Sequence, residues 1–129
     1  MKKLLVTLTL AGALAFGLAS ASADDSAPKS VIHIVTVAFK DGTTPAQIQA
    51  ALDAAHKLPA AFPGITRVWT NAIKVQNLDE AKIKKTHVLV MEFASEQALK
   101  DYDGSPAQKE WYKSYLDIRQ QSTTFDVTN

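Results

Sequence analysis

Apolar residues recur along this chain with two periods, and the switches between them mark its elements. Residues 31–39 are rich in β-branched side chains and alternate with a period of two, which predicts a strand. Val31, His33, Val35, Val37 and Phe39 share one face; Ile32, Ile34, Thr36 and Ala38 share the other. Both faces are largely apolar, so the strand is expected to be covered on both sides. After Lys40-Asp41-Gly42, the run Thr44-Pro45-Ala46-Gln47 has the form of a helix start, with Thr44 as N-cap, Pro45 at N1 and Gln47 completing a capping box. Ile48, Ala51, Leu52, Ala55 and Leu58 then form a stripe at spacings of three and four. Pro59 ends the helix near Lys57, because the residue before a proline avoids helical backbone.

The second half repeats the plan. Residues 65–75 predict a second strand, with Arg67, Trp69, Asn71 and Ile73 on one face and Thr66, Val68, Thr70 and Ala72 on the other. The polar run 76–85 predicts a solvated hairpin loop, and residues 88–93 a third strand. Ser95 caps a short helix to about Tyr102, which Asp103-Gly104 stops. Ser105-Pro106-Ala107-Gln108 starts a longer helix, in which Trp111, Tyr115 and Ile118 keep helical spacing and Tyr112 and Leu116 flank them. Residues 122–127 predict a last strand. His33-x-Val35-x-Val37-x-Phe39 is echoed by His87-x-Leu89-x-Met91-x-Phe93, each followed by a capped helix.

The order is β-α-β-β-α-β, an α+β ferredoxin-like split unit: a four-stranded antiparallel sheet with its helices on one face. The other face would carry Ile32, Ile34, Ala38, Val88 and Val90, too many apolar side chains to leave in water. A second copy packed sheet to sheet would cover them, giving a homodimeric α/β barrel.

The ends and the composition place the domain. Met1-Lys2-Lys3, the apolar run 4–18 and Ala21-Ser22-Ala23 form a secretory signal peptide over residues 1–23, cleaved after Ala23. The basic start is of bacterial type, so the protein is expected to be exported, periplasmic or secreted, with no membrane attachment after cleavage. Residues 24–30 are then a flexible lead-in and 31–128 a single domain. With Lys2 and Lys3 removed the remainder is close to neutral, which gives no reason to expect a nucleic-acid partner. The chain has no cysteine, so its stability has to come from packing or association.

The ordered set formed by His33, Phe39-Lys40, Phe62-Pro63-Gly64-Ile65, His87 to Phe93, Ser95, Tyr102 and the turn at Pro106 resembles the stress-responsive A/B barrel (Dabb) family of the dimeric α+β barrel group. The resemblance implies a homodimer of ferredoxin-like subunits. Some members are associated with stress tolerance, and at least one is a cofactor-free polyketide cyclase acting by acid–base chemistry. His33 matches that enzyme's first-strand histidine and Tyr102 its pocket tyrosine. Its catalytic histidine lies in a His-Pro-x-His turn, which is Ser105-Pro106-Ala107-Gln108 here. Gln108 cannot accept a proton near neutral pH, so the cyclase mechanism does not carry over.

His33, His87, Tyr102 and Trp111 are the candidate pocket residues, with His33 and Tyr102 the candidates for catalysis. Each also has a plain structural role open to it: histidines at a core edge, a partnered core tyrosine, an aromatic stripe that packs. Ser105 and Gln108 read first as helix caps. No Gly-rich phosphate loop, nucleotide fingerprint or nucleophile elbow is present, and no cofactor is expected. No metal is expected either, since there is no cysteine and no close histidine pair. Three functions stay open: a dimer that binds a small apolar or aromatic molecule, a cofactor-free cyclase-, lyase- or monooxygenase-like enzyme using His33 and Tyr102, and a stress-protective oligomer.

Overall fold

The computed structural model describes residues 29–77, 79 and 82–128. The expected leader, 1–23, and most of the lead-in lie outside the described residues. The described elements run β1 (Val31–Phe39), α1 (Pro45–His56), α2 (Leu58–Ala61), β2 (Ile65–Ala72), β3 (His87–Phe93), α3 (Glu96–Tyr102), α4 (Pro106–Tyr115) and β4 (Arg119–Val127). The strands form one sheet in the order β2-β3-β1-β4, with every pairing antiparallel. The helices cover one face, so the predicted ferredoxin-like α+β architecture is present. β1 is an inner strand, which is why both its faces are apolar.

The caps act as their residue types require. The Gln47 N–H donates to Thr44 Oγ1 (3.2 Å), and the Thr44 N–H donates to Gln47 Oε1 (2.9 Å), closing the capping box. Lys57 is the C-cap of α1, as Pro59 demands. Beyond it the chain makes one further turn, α2, which the sequence pattern did not indicate. Pro59 is tolerated there because the first turn of a helix needs no N–H from it. Leu58 is only 2 % exposed, so this extra turn anchors the helix layer to the sheet.

β2 is shorter than expected and carries a bulge. Ile65 pairs with Phe93, Arg67 with Glu92 and Val68 with Met91. The extra residue, Thr66, lets Ile65 and Val68 both face the helices although they are three apart. The connection from β2 to β3, in which the loop was expected over 76–85 and of which residues 78, 80 and 81 lie outside the described residues, is tied at its ends by the Ile73 N–H to the Thr86 carbonyl (2.8 Å) and the Thr86 N–H to the Val37 carbonyl (2.9 Å). α4 stops at Tyr115, short of the predicted Ile118, and β4 starts at Arg119, three residues earlier than expected. A register shift at Ala38/Phe39 brings Arg119 opposite Phe39.

The core lies between sheet and helices. Val35, Val37, Leu89, Met91 and Phe93 face Ala51, Ala55, Trp111 and Tyr115. The outer face is built in rows across all four strands. Trp69, Val90, Ile34 and Phe125 form one row; Arg67, Glu92, Ile32 and Val127 form the next. Trp69, Phe125 and Val127 are 43 %, 52 % and 57 % exposed, so this face is more apolar than the sequence pattern suggested. Ala38 is the exception. It is only 3 % exposed in the single chain, at the end of the sheet where Ile83 and Lys84 of the connection come close, and it offers no surface to a partner.

Gly64 explains the Phe62-Pro63-Gly64 turn. A methyl group there would lie 2.5 Å from the Phe62 ring and 3.0 Å from Ala98 Cβ. The bare backbone lets the Phe62 ring fold back edge-on to Tyr102 (5.5 Å between centroids) and lets α3 approach β2. Gly64→Ala is expected to cost about 1–3 kcal/mol through overpacking. Urea unfolding of the two proteins measures it, and an unchanged midpoint would refute the account.

Candidate ligand cleft

The helix layer sits mainly over β2 and β3: α1 and α2 touch β2, α3 touches β3, and α4 packs on α1 and α2. Space is left between α4 and the β1–β4 side of the sheet. An inner chamber of about 190 Å³ there is walled by Trp111, Tyr112 and Tyr115 and floored by His33, Val35, Ser122 and Thr124, with Arg119 beside them. An outer hollow of about 350 Å³, holding Leu99, Lys100 and Asp126, shares His33, Tyr102, Asp103 and Gln108 with the chamber. The two are one cleft.

His33 stands on the inner face of β1, directly opposite Asp126 of β4. Its Nδ1 lies 2.6 Å from Asp126 Oδ1. A carboxylate only accepts, so Nδ1 carries a proton, and in the neutral imidazole the lone pair is then on Nε2. No described group bonds Nε2. The imidazole is further held edge-on to Phe93, 5.8 Å between centroids. Asp126 was not among the sequence candidates. It lies four strand positions past Ser122 in a threonine-rich run, and only the β1–β4 register reveals it.

Tyr102 ends α3, where Gly104 turns the chain with a φ of +73°, a conformation side chains rarely tolerate. Tyr102 and Tyr115 are each only 2 % exposed, and neither hydroxyl makes a hydrogen bond to the protein. Ser122 and Arg119 approach the Tyr115 hydroxyl without reaching bonding geometry. Burial pushes the Tyr102, Tyr112 and Tyr115 phenols up from their ordinary value, so all three are protonated donors at neutral pH.

The other expected residues divide. Trp111 forms part of the wall, but its Nε1–H is committed to the Ala51 carbonyl at 3.2 Å. Ser105 and Gln108 are caps: Ser105 Oγ accepts from the Gln108 N–H (3.2 Å), and Gln108 Oε1 accepts from the Gly104 N–H (2.7 Å). His87 does not line the cleft. It begins β3 as His33 lies near the start of β1, and antiparallel pairing sends the two strand starts to opposite ends of the sheet. It packs on Phe39, 5.3 Å away, with Nδ1 near Thr86 Oγ1, and burial lowers its pKa. Among the described residues no three histidine or acidic groups gather as a metal site would require.

The model of the stress responsive A/B barrel domain, Dabb, matches residues 31–129. The chain belongs to the Dabb family. Among solved structures it is similar to an Arabidopsis thaliana protein (22 % identity over 77 % of this chain and 94 % of that one, TM-score 0.67). It is similar too to the hydroxynitrile lyase of Passiflora edulis (18 % identity, 78 % and 94 % covered, TM-score 0.66). A third is a dimeric ferredoxin-like protein of unknown function from Thermobifida fusca (20 % identity, 78 % and 91 % covered, TM-score 0.61). At these identities the likeness is one of fold. No curated protein matches.

Within this Dabb domain the unbonded phenols are costly features. A buried hydroxyl without a partner forfeits about 1–3 kcal/mol. Tyr102→Phe removes that cost and keeps the ring contacts with Phe62 and Phe93. The ligand-free variant is therefore expected to be at least as stable as the wild type, and up to about 1–3 kcal/mol more stable. Denaturant midpoints check this; a loss of more than about 1 kcal/mol would show that the hydroxyl is structural.

Proposed function

We propose that this is an exported, homodimeric Dabb protein that binds a small, partly apolar molecule in the cleft between α4 and the β1–β4 side of its sheet. The observation that carries the binding reading is the pair of tyrosines, Tyr102 and Tyr115, that line the same chamber and whose buried hydroxyls make no hydrogen bond to the protein. A pure packing core would not keep them, since phenylalanine would fill the space without the cost. Export rests on the form of residues 1–23 and is checked by fractionating the native host.

Dimer formation is supported by the row Trp69-Val90-Ile34-Phe125 on the uncovered sheet face and by the dimeric state of the Thermobifida fusca neighbour. The Arg67–Glu92 ion pair (2.7 Å) lies in the next row, where Arg67 holds the Glu92 carboxyl below its ordinary range. The charge at that position is thus matched within one chain, which lets the surrounding face be covered without leaving a lone charge. Light scattering should give a plain dimer, and Ile34→Glu, which puts a charge in the middle of the row, should give a folded monomer. A wild-type monomer would refute the reading, and a larger closed oligomer would favour the stress-protective assembly.

A second reading, cofactor-free acid–base chemistry, is favoured by one observation: Asp126 orients His33 and leaves Nε2 free in a cleft that also holds two phenol donors. Nε2 would take a proton from a bound carbonyl compound, and a phenol would donate to the oxygen that gains charge. The Passiflora edulis neighbour shows that this fold hosts lyase activity, a statement about that protein and its fold. Acetophenone in D2O serves as the probe, with deuterium incorporation at its methyl carbon followed by NMR. The wild type should accelerate exchange, and His33→Gln should lose about 10²-fold or more of that rate. Equal rates in the two proteins would end the reading.

A further inference from the structure

The inner face of β4 is unusual for a strand against a core. Arg119, Ser122, Thr124 and Asp126 lie opposite Phe39, Val37, Val35 and His33, so that face presents no apolar side chain at all. Its charges are separated, Arg119 toward one end and Asp126 at the other. Asp126 is bonded to His33. Arg119 is half-buried, and no described carboxylate pairs with it. Its guanidinium instead lies over the Tyr115 ring, 5.8 Å from the centroid, and borders the chamber. A partly desolvated cation without a counter-ion is an uncommon thing to build into a domain, because burying charge is costly unless it is paired.

We infer that the cleft takes a small monocarboxylate with a flat unsaturated or aromatic body, whose carboxylate pairs with Arg119. The inference deepens the binding reading above and rests on it. Arg119 offers the planar fork that matches a carboxylate, and Ser122 and the Tyr115 hydroxyl stand beside it as further donors. A single negative charge is the match. Among the described residues Arg119 is the one Arg or Lys that lines the chamber, with Asp103 bordering it, and in the outer hollow Lys100 offsets Asp126, so the charge around the chamber matches one negative charge better than two. The body of the ligand would lie along Trp111, Tyr112 and Tyr115, where Tyr115 stacks on Trp111 at 4.5 Å and on Tyr112 at 6.2 Å. A volume of 190 Å³ is below the roughly 300 Å³ that marks the lower end of sites for drug-sized ligands, so the acid must be small or extend into the outer hollow.

The test uses two pairs of probes, benzoate with benzamide and cinnamate with cinnamamide, titrated into the full-length mature protein by calorimetry. Each acid should bind about tenfold or more tightly than its amide, the scale of a charge-assisted bond. Arg119→Gln should abolish the preference, and Arg119→Lys, which keeps the charge without the fork, should retain part of it. The Lys variant also serves where the Gln variant fails to fold. Amides that bind as well as the acids, or an acid preference that survives Arg119→Gln, overturn the inference and leave the binding reading standing. If neither these probes nor a wider screen of neutral aromatic ketones binds, both fall.

Discussion

The bond from the Trp111 indole to the Ala51 carbonyl sets where α4 lies, and the cleft follows from that position. Ala51 and Ala55 are 1 % and 0 % exposed, and their small size is what lets a tryptophan reach the backbone of α1. Once Trp111 is seated there, Tyr115 stacks on it and Tyr112 follows along the same helix, so three rings are aligned toward β4. The start of α4 is fixed by the Ser105 and Gln108 caps, which also fix the Tyr102 end of α3 through the Gly104 N–H. The roof of the cleft is therefore a by-product of ordinary helix packing. Its floor is not, because the inner face of β4 is polar where packing alone would select valine or leucine.

That contrast separates what stabilises the domain from what does not. The β1, β3 and helix side chains form a closed apolar core and account for the fold. Arg119, His33 and Asp126 lie outside that core, and the unbonded hydroxyls of Tyr102 and Tyr115 subtract from it although their rings belong to it. Local choices that break the rules of packing without compensation within the chain are where a function is expected, since the compensating contact then comes from something bound.

Much of this fold was legible because its signals are local. The Thr44 and Ser95 caps, the proline at 59 and the alternation of 31–39 each act within a few residues. The site was legible only in part. His33 and Tyr102 were readable from their phase in the strand and their place before a helix break. Asp126 and Arg119 were not, because their roles depend on register across β1–β4 and on a strand that begins at Arg119 instead of 122. The turn from 116 to 118 after Tyr115 has no proline or glycine to announce it, so helical spacing ran on to Ile118. His87 shows the opposite error: a true sequence echo that antiparallel pairing places at the wrong end of the sheet.

The two unsatisfied surfaces of the domain are not independent. β1 presents Ile34 outward and His33 inward, and β4 presents Phe125 and Val127 outward with Asp126 between them facing in. β4 is an edge strand, held by pairing on one side only. Covering Phe125 and Val127 in the proposed dimer would immobilise the backbone on either side of Asp126, and with it the 2.6 Å bond that sets which nitrogen of His33 is basic. In a free monomer the same strand would keep its pairing to β1 but lose that support, and edge strands are drawn from the less stable parts of a structure. Association would then do more than hide an apolar face: it would hold the His33–Asp126 pair in register.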